Sequence, residues 1–227
     1  NTVFYIENFA VAHAWYSIED GINDFLYMVI NGTPVNFKLT AENYTGDTFA
    51  TEIQSKLNAV VPNTFIVTFD STRNNITIAV VNGTTFKVLS NVDLTNSGYT
   101  DPKTTNDVLQ NVSYPSPTYS NTKPFVSGFL NLLSIRNLYL HSPNLSSFTT
   151  YGGNGESNII KKIPVTLDFG YLIVDNVTST HDWLDCSGLT LNNLEFQLRD
   201  IRGNLVPLHD SNISFGIVFS RIDLEDY

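Results

Sequence analysis

The chain has 227 residues, with 12 Lys+Arg against 22 Asp+Glu and a formal net charge of −10. Hydrophobic residues make up 42% and charged residues 15%, which excludes a disordered acidic tail and is ample for a core burying about 70% of the unfolded surface. So few cations argue against sequence-independent nucleic-acid binding, the lone Cys186 excludes an intramolecular disulfide or a thiolate zinc site, and no apolar run reaches the ~20 residues of a membrane-spanning helix.

The first residue is Asn1 rather than Met, so a processed or excised form is expected. Asparagine is about a ninth of the chain, above ordinary usage. Triplets of the glycosylation type, at Asn31, Asn43, Asn75, Asn82, Asn176 and Asn212 among others, offer the reading of a secreted glycoprotein; the favoured reading is that an Asn- and Thr-rich chain makes them by chance, since no disulfide framework accompanies them.

The first element read in chain order is a helix. Gly46-Asp47-Thr48 offers an N-cap, Phe49, Ile53, Leu57 and Val60 recur at three- and four-residue spacing, and Pro62 closes the run. A hairpin follows: Phe65, Val67 and Phe69 alternate with polar or outward residues, as do Ile76, Ile78 and Val80, around the turn Asp70–Asn75. The stretch Asn91–Lys123, with Tyr114-Pro-Ser-Pro117, predicts a long surface loop. Phe129–Leu140 is apolar on both faces, which fits a strand buried on both sides or a helix; the strand is the favoured expectation, because no capping residues bracket a helix and strands surround it. Ser142–Asn158 predicts a second long loop, carrying Tyr151-Gly-Gly-Asn-Gly155. Ile163, Val165, Leu167, Phe169, Tyr171 and Ile173 predict one long strand. Leu194, Phe196 and Leu198 predict another, turning at Arg202-Gly203-Asn204 toward a last strand with Ile213, Phe215, Ile217 and Phe219 on one face. Asp223–Tyr227 reads as a solvated acidic tail. About nine or ten strands and one helix predict an all-β two-sheet sandwich, a single jelly-roll domain over 1–227, with the helix and hairpin of 41–89 as an insertion or embellishment.

Catalytic patterns are missing from the sequence. There is no Gly-x-Ser-x-Gly elbow and no phosphate-binding Gly-x-x-x-x-Gly-Lys-Ser/Thr loop. His13, His141, His181 and His209 form no spaced metal-binding pair. The cluster His181-Asp-Trp-Leu-Asp-Cys186 is densest in polar and aromatic groups; Asp182 and Asp185 offer calcium-type oxygens, but an ordinary loop anchored by Trp183 explains it. Cys186 has no neighbouring cation to make it a thiolate. Asp168, Asp175, Glu195 and Asp200 are scattered carboxylates that sequence alone does not pair for hydrolysis. No cofactor and no metal are expected.

His141-Ser-Pro-Asn-Leu-Ser-Ser-Phe148, Asn158–Tyr171 (Asn-Ile-Ile-Lys-Lys-Ile-Pro-Val-Thr-Leu-Asp-Phe-Gly-Tyr), Leu194–Leu208 (Leu-Glu-Phe-Gln-Leu-Arg-Asp-Ile-Arg-Gly-Asn-Leu-Val-Pro-Leu) and Asn212-Ile-Ser-Phe-Gly-Ile-Val-Phe219 resemble capsid proteins of virophages and Polinton-like viruses. The helix and the Phe65–Val80 hairpin look like a segment near the N-terminus of their penton (vertex) proteins of the mavirus type. The resemblance implies a non-enzymatic single jelly roll that forms homopentamers at the fivefold vertices of a virion, beside trimers of a major capsid protein, assembled inside the infected host cell. It carries no catalytic motif. Neither a membrane span nor sequence-specific nucleic-acid binding is expected. The aromatics Tyr114, Tyr119, Phe148, Tyr151 and Trp183 are the candidate subunit contacts. The alternative is a carbohydrate- or receptor-binding sandwich module of a viral surface, with Trp15 and Trp183 as stacking platforms; a sandwich hydrolase is a third reading.

Overall fold

The structure is a computed structural model and describes residues 2–81, 83–96, 109, 115–145, 158–176 and 183–221. Most of both predicted loops, the residues His181 and Asp182, and the acidic tail lie outside the described residues. The fold is predominantly β, built from four antiparallel sheets. It divides into two compact units, one made of Asn1–Trp15 with Ile135–Tyr227 and the other of Tyr16–Ser134. The 41–89 helix and hairpin belong to the second.

In the first unit, strand β1 (Thr2–Ala12) lies between β13 (Ile213–Arg221) on one edge and, on the other, β10 (Leu172–Asp175) and β11 (Leu184–Asp185). A second sheet is ordered β12 (Gln197–Arg199), β8 (Asn137–His141), β9 (Ile159–Pro164). Phe4, Ile6, Phe9, Val11 and Ile173 of the first sheet share one core with Leu138, Leu140, Ile160, Ile163 and Leu198 of the second. The inward residues of β1 change phase between Ile6 and Phe9 because Asn8 is an extra residue opposite β13, at φ 52°. Asparagine tolerates this left-handed conformation better than other side chains, so the bulge forms here. Beyond it Phe9 reaches the ring of Phe215, with centroids 6.2 Å apart.

The long strand expected over Ile163–Ile173 is two strands. β9 ends at Pro164, and the chain turns through Asp168–Tyr171, where Tyr171 N donates to Asp168 O (3.2 Å) and Gly170 takes φ 86°. Only Ile163 and Ile173 of the predicted face are fully buried. The strand expected over Phe129–Leu140 is also shorter: only Asn137–Leu140 of it is extended, as the start of β8. Its two apolar faces have separate causes. Leu130 and Leu132 pack in the core of the second unit, whereas Ile135, Leu138 and Leu140 pack in that of the first.

The second unit holds β2 (Phe25–Ile30), β3 (Thr33–Lys38) and β6 (Phe86–Val88) in one sheet, and β4 (Phe65–Asp70), β5 (Asn75–Val80) and β7 (Phe125–Val126) in another. The β4–β5 hairpin has the expected register, Phe65 opposite Val80 and Val67 opposite Ile78. Helix α1 (Gly46–Val60) buries Phe49, Ala50, Ile53 and Leu57, while Val60 is exposed. Its N-cap is Thr45, upstream of the expected position: Thr48 N donates to Thr45 Oγ1 (3.3 Å) and Thr45 N donates to Thr48 Oγ1 (2.9 Å). A Cβ on Gly46 would come closer to the Phe69 ring than van der Waals contact allows, so a larger residue here requires that ring to shift. A short helix, α2 (Asn91–Asn96), opens the long loop region. The two ends of this unit are clasped together, Ser134 Oγ donating to Tyr16 O at 3.0 Å.

Candidate functional site

Of the five aromatics expected to contact other subunits, Tyr114, Phe148 and Tyr151 lie outside the described residues. The other two fall in different units. Tyr119 folds back on its own core: its backbone exchanges two hydrogen bonds with Phe86 (2.8 and 3.1 Å), and its ring touches those of Phe86 and Phe125 with centroids 5.4 and 5.3 Å apart. Burial pushes its phenol above the usual tyrosine range. Lys123 Nζ stands 5.9 Å from the same ring. Trp183 precedes β11, is half-buried and lies nearly parallel to Tyr5 of β1 at 6.4 Å, so these two form an aromatic pair on the first unit.

Several residues that the sequence offered for chemistry are engaged in local contacts. His13 Nδ1 is 2.8 Å from Leu167 O, and its ring stacks on Trp15 at 4.2 Å. Trp15 is itself buried, which removes it as a platform for a sugar ring. His141 Nδ1 meets Asn158 Oδ1 at 2.9 Å. Cys186 is buried; burial, then the adjacent Asp185, pushes its thiol above the ordinary value, the reverse of what a nucleophile needs. Asp175 pairs with Lys161 (3.6 Å), whose Nζ also donates to Ile6 O (3.2 Å) beside the β1 bulge. Asp200 accepts from the backbone of Arg202 and Asn204 (both 2.8 Å), which builds the turn that the sequence predicted. Among the described residues, no group of three or more His, Cys, Asp or Glu is placed to hold a metal ion, and no helix is long and apolar enough to cross a membrane.

What the sequence reading missed is a pair of exposed apolar surfaces on the first unit. Tyr171 (64% exposed), Leu172 (56%) and Val174 (49%), joined by Leu167 and Phe169, project from β10 and the turn before it. Leu172 and Val174 lie on the outer face of the sheet, opposite Ala12 and Ala10. The second surface is the hairpin leaving β12, with Ile201 (64%) and Leu205 (62%). Alternation placed Leu167, Phe169 and Tyr171 on an inward face; the signal that would have turned them outward is the Asp168–Gly170 turn.

Comparison with protein-family models, curated proteins and solved structures finds no match.

Proposed function

We propose that this chain is a structural capsid protein of the penton type, forming a ring of five at the vertices of an icosahedral virion, among trimers of a major capsid protein. Its first unit, two facing antiparallel sheets, is on this reading the jelly roll. Support comes from the sequence resemblance over 158–171 and 194–219. The observation that carries the reading is the exposed apolar surface of Leu167, Phe169, Tyr171, Leu172 and Val174, because contiguous apolar side chains left in water mark a contact surface. Light scattering coupled to size exclusion tests it: the expected mass is five times the 25.3 kDa of one chain. A strictly monomeric species at high concentration in several salts overturns it.

A second reading, sugar or receptor binding, is favoured by the half-exposed Tyr5–Trp183 pair, since parallel aromatic faces stack on sugar rings. Saturable binding on a glycan array, lost in Trp183→Ala, is the result it requires.

A further inference from the structure

The turn joining β2 to β3 consists of Asn31 and Gly32, at φ 48° and 82°, between the paired residues Ile30 and Thr33. Both turn residues are exposed, and a Cβ built on Gly32 would meet nothing within 4 Å, so solvent reaches the peptide nitrogen between them. Asn31 also reaches across to the residue before β6. Its N–H donates to Thr85 O (2.9 Å), and its side-chain Oδ1 accepts from Thr85 N (3.0 Å). A backbone N–H only donates, so the atom facing it is the amide oxygen of Asn31. Other asparagines are placed differently. Asn58 commits both ends of its amide to the backbone of Thr64 and Phe65 and precedes Ala59 within α1. Asn74 donates to Leu130 O and precedes Asn75. Among the described residues, Asn31 is the one asparagine followed by glycine.

We infer that Asn31 is a site of spontaneous deamidation in the folded chain. The backbone nitrogen of Gly32 gives its proton to solvent base and attacks Asn31 Cγ. The new N–Cγ bond closes a succinimide ring and drives negative charge onto Oδ1, the oxygen that Thr85 N–H already holds. The side-chain nitrogen takes up a proton and leaves as ammonia. Water then opens the ring at either carbonyl, which leaves aspartate or isoaspartate at this position. One water enters and one ammonia departs, and no other reactant is consumed. Glycine matters twice here: it puts no side chain in the way of the attack, and it accepts the positive φ of the turn. The two products differ in what they do to the fold. Aspartate keeps an oxygen for Thr85 N and leaves the turn at its native length. Isoaspartate routes the main chain through the side-chain carbon, lengthens the turn by one atom and pulls against the pairing of Ile30 with Thr33.

The test incubates the intact folded chain in mildly alkaline buffer, with the same chain held unfolded in urea in parallel. Peptide mapping by mass spectrometry and isoaspartate-specific methylation are the readouts. The peptide containing Asn31 is expected to gain about 1 Da and to appear as aspartate and isoaspartate together. The folded chain is expected to convert within about tenfold of the unfolded rate, because the exposed turn already brings the reacting groups together. A folded chain that converts more slowly than that overturns the inference, since the fold then shields the turn. Conversion confined to Asn82 and Asn154, the other asparagines followed by glycine, overturns it as well. Aspartate without isoaspartate overturns the ring-closing route. Asn31→Asp reproduces one product and is expected to melt within about 2 °C of wild type, while the isoaspartyl form, separated by ion exchange, melts lower. Equal melting of all three overturns the account of the turn.

Discussion

Asp24 is wholly buried in the second unit, and among the described residues neither of its carboxylate oxygens has a hydrogen-bond partner. Its nearest cation is Lys38 Nζ at 3.6 Å, which is drawn more closely to the exposed Asp20, at 2.5 Å. The hydrogen bond and charge of Lys38 hold the Asp20 carboxyl below its ordinary range. The pair is thus asymmetric. Removing the ammonium strands a buried anion, whereas removing the anion leaves Lys38 solvated and still paired. Thermal unfolding should show it: Lys38→Met lowers Tm by more than about 4 °C, whereas Asp24→Asn keeps it within about 2 °C of wild type or raises it. Equal losses in the two variants would contradict this account. Gly46 poses a steric problem rather than an electrostatic one. Gly46→Ala drives a methyl group into the Phe69 ring and is expected to destabilise by about 1–3 kcal/mol in chemical denaturation, and Phe69→Leu in the same chain should recover part of that loss.

At the scale of elements, α2 is fastened by a single carboxylate. Asp93 Oδ2 accepts from Ser90 Oγ (2.6 Å), from Ser116 N (2.9 Å) and from the Ser116 hydroxyl, so residues on both sides of the long loop region meet there. Burial by itself would raise this carboxyl; the bonds from Ser116 and Ser90 outweigh it and hold the group below the usual aspartate range. A depressed folded value stabilises fully above the unfolded value near pH 3.9, and that stabilisation disappears as the pH falls through the lower, folded value. Asp93→Asn should therefore cost about 1–2 kcal/mol at pH 7 and progressively less below about pH 4, read from Tm against pH. The elements also differ in how plainly the sequence announces them. The β4–β5 hairpin is legible because strict alternation flanks a polar turn. β1 is not, because the bulge at Asn8 breaks its period in the middle. β2 and β3 join through Asn31-Gly32, both at positive φ, a strong hairpin turn; alternation hides them because Leu26, Tyr27 and Met28 are consecutive and all buried. The exposed apolar surfaces were illegible for a different reason. Leu167, Phe169 and Tyr171 lie in the irregular stretch and turn between β9 and β10, where alternation assigns no face, whereas Ile173 beyond the turn is buried as the alternation placed it.

At the scale of the whole molecule, the second unit is an insertion with its own core, its own helix and neighbouring ends. A segment of residues 16–134 is expected to fold alone, with a cooperative thermal transition and native β-type circular dichroism. A fragment that stays unfolded would show that its core depends on the rest of the chain. The apolar run 129–140 was read as one strand because sequence carries no mark where a chain passes from one core to another; Leu132 and Ile135 are near neighbours in the chain and serve different interiors.

The clasp between Ser134 and Tyr16 also bears on the order in which the molecule forms. The first unit must bring β1 beside strands that arrive only after the whole of 16–134 has been made. While that stretch is random, looping it costs conformational entropy that grows with the logarithm of its length. Once the insertion is native, its ends stand side by side and the loop shrinks to a couple of residues, which lowers the closure cost by about 3–4 kcal/mol. The segment 16–134 is therefore expected to fold before the first unit closes, and a lesion that delays it is expected to delay both units, read from refolding kinetics followed by separate probes.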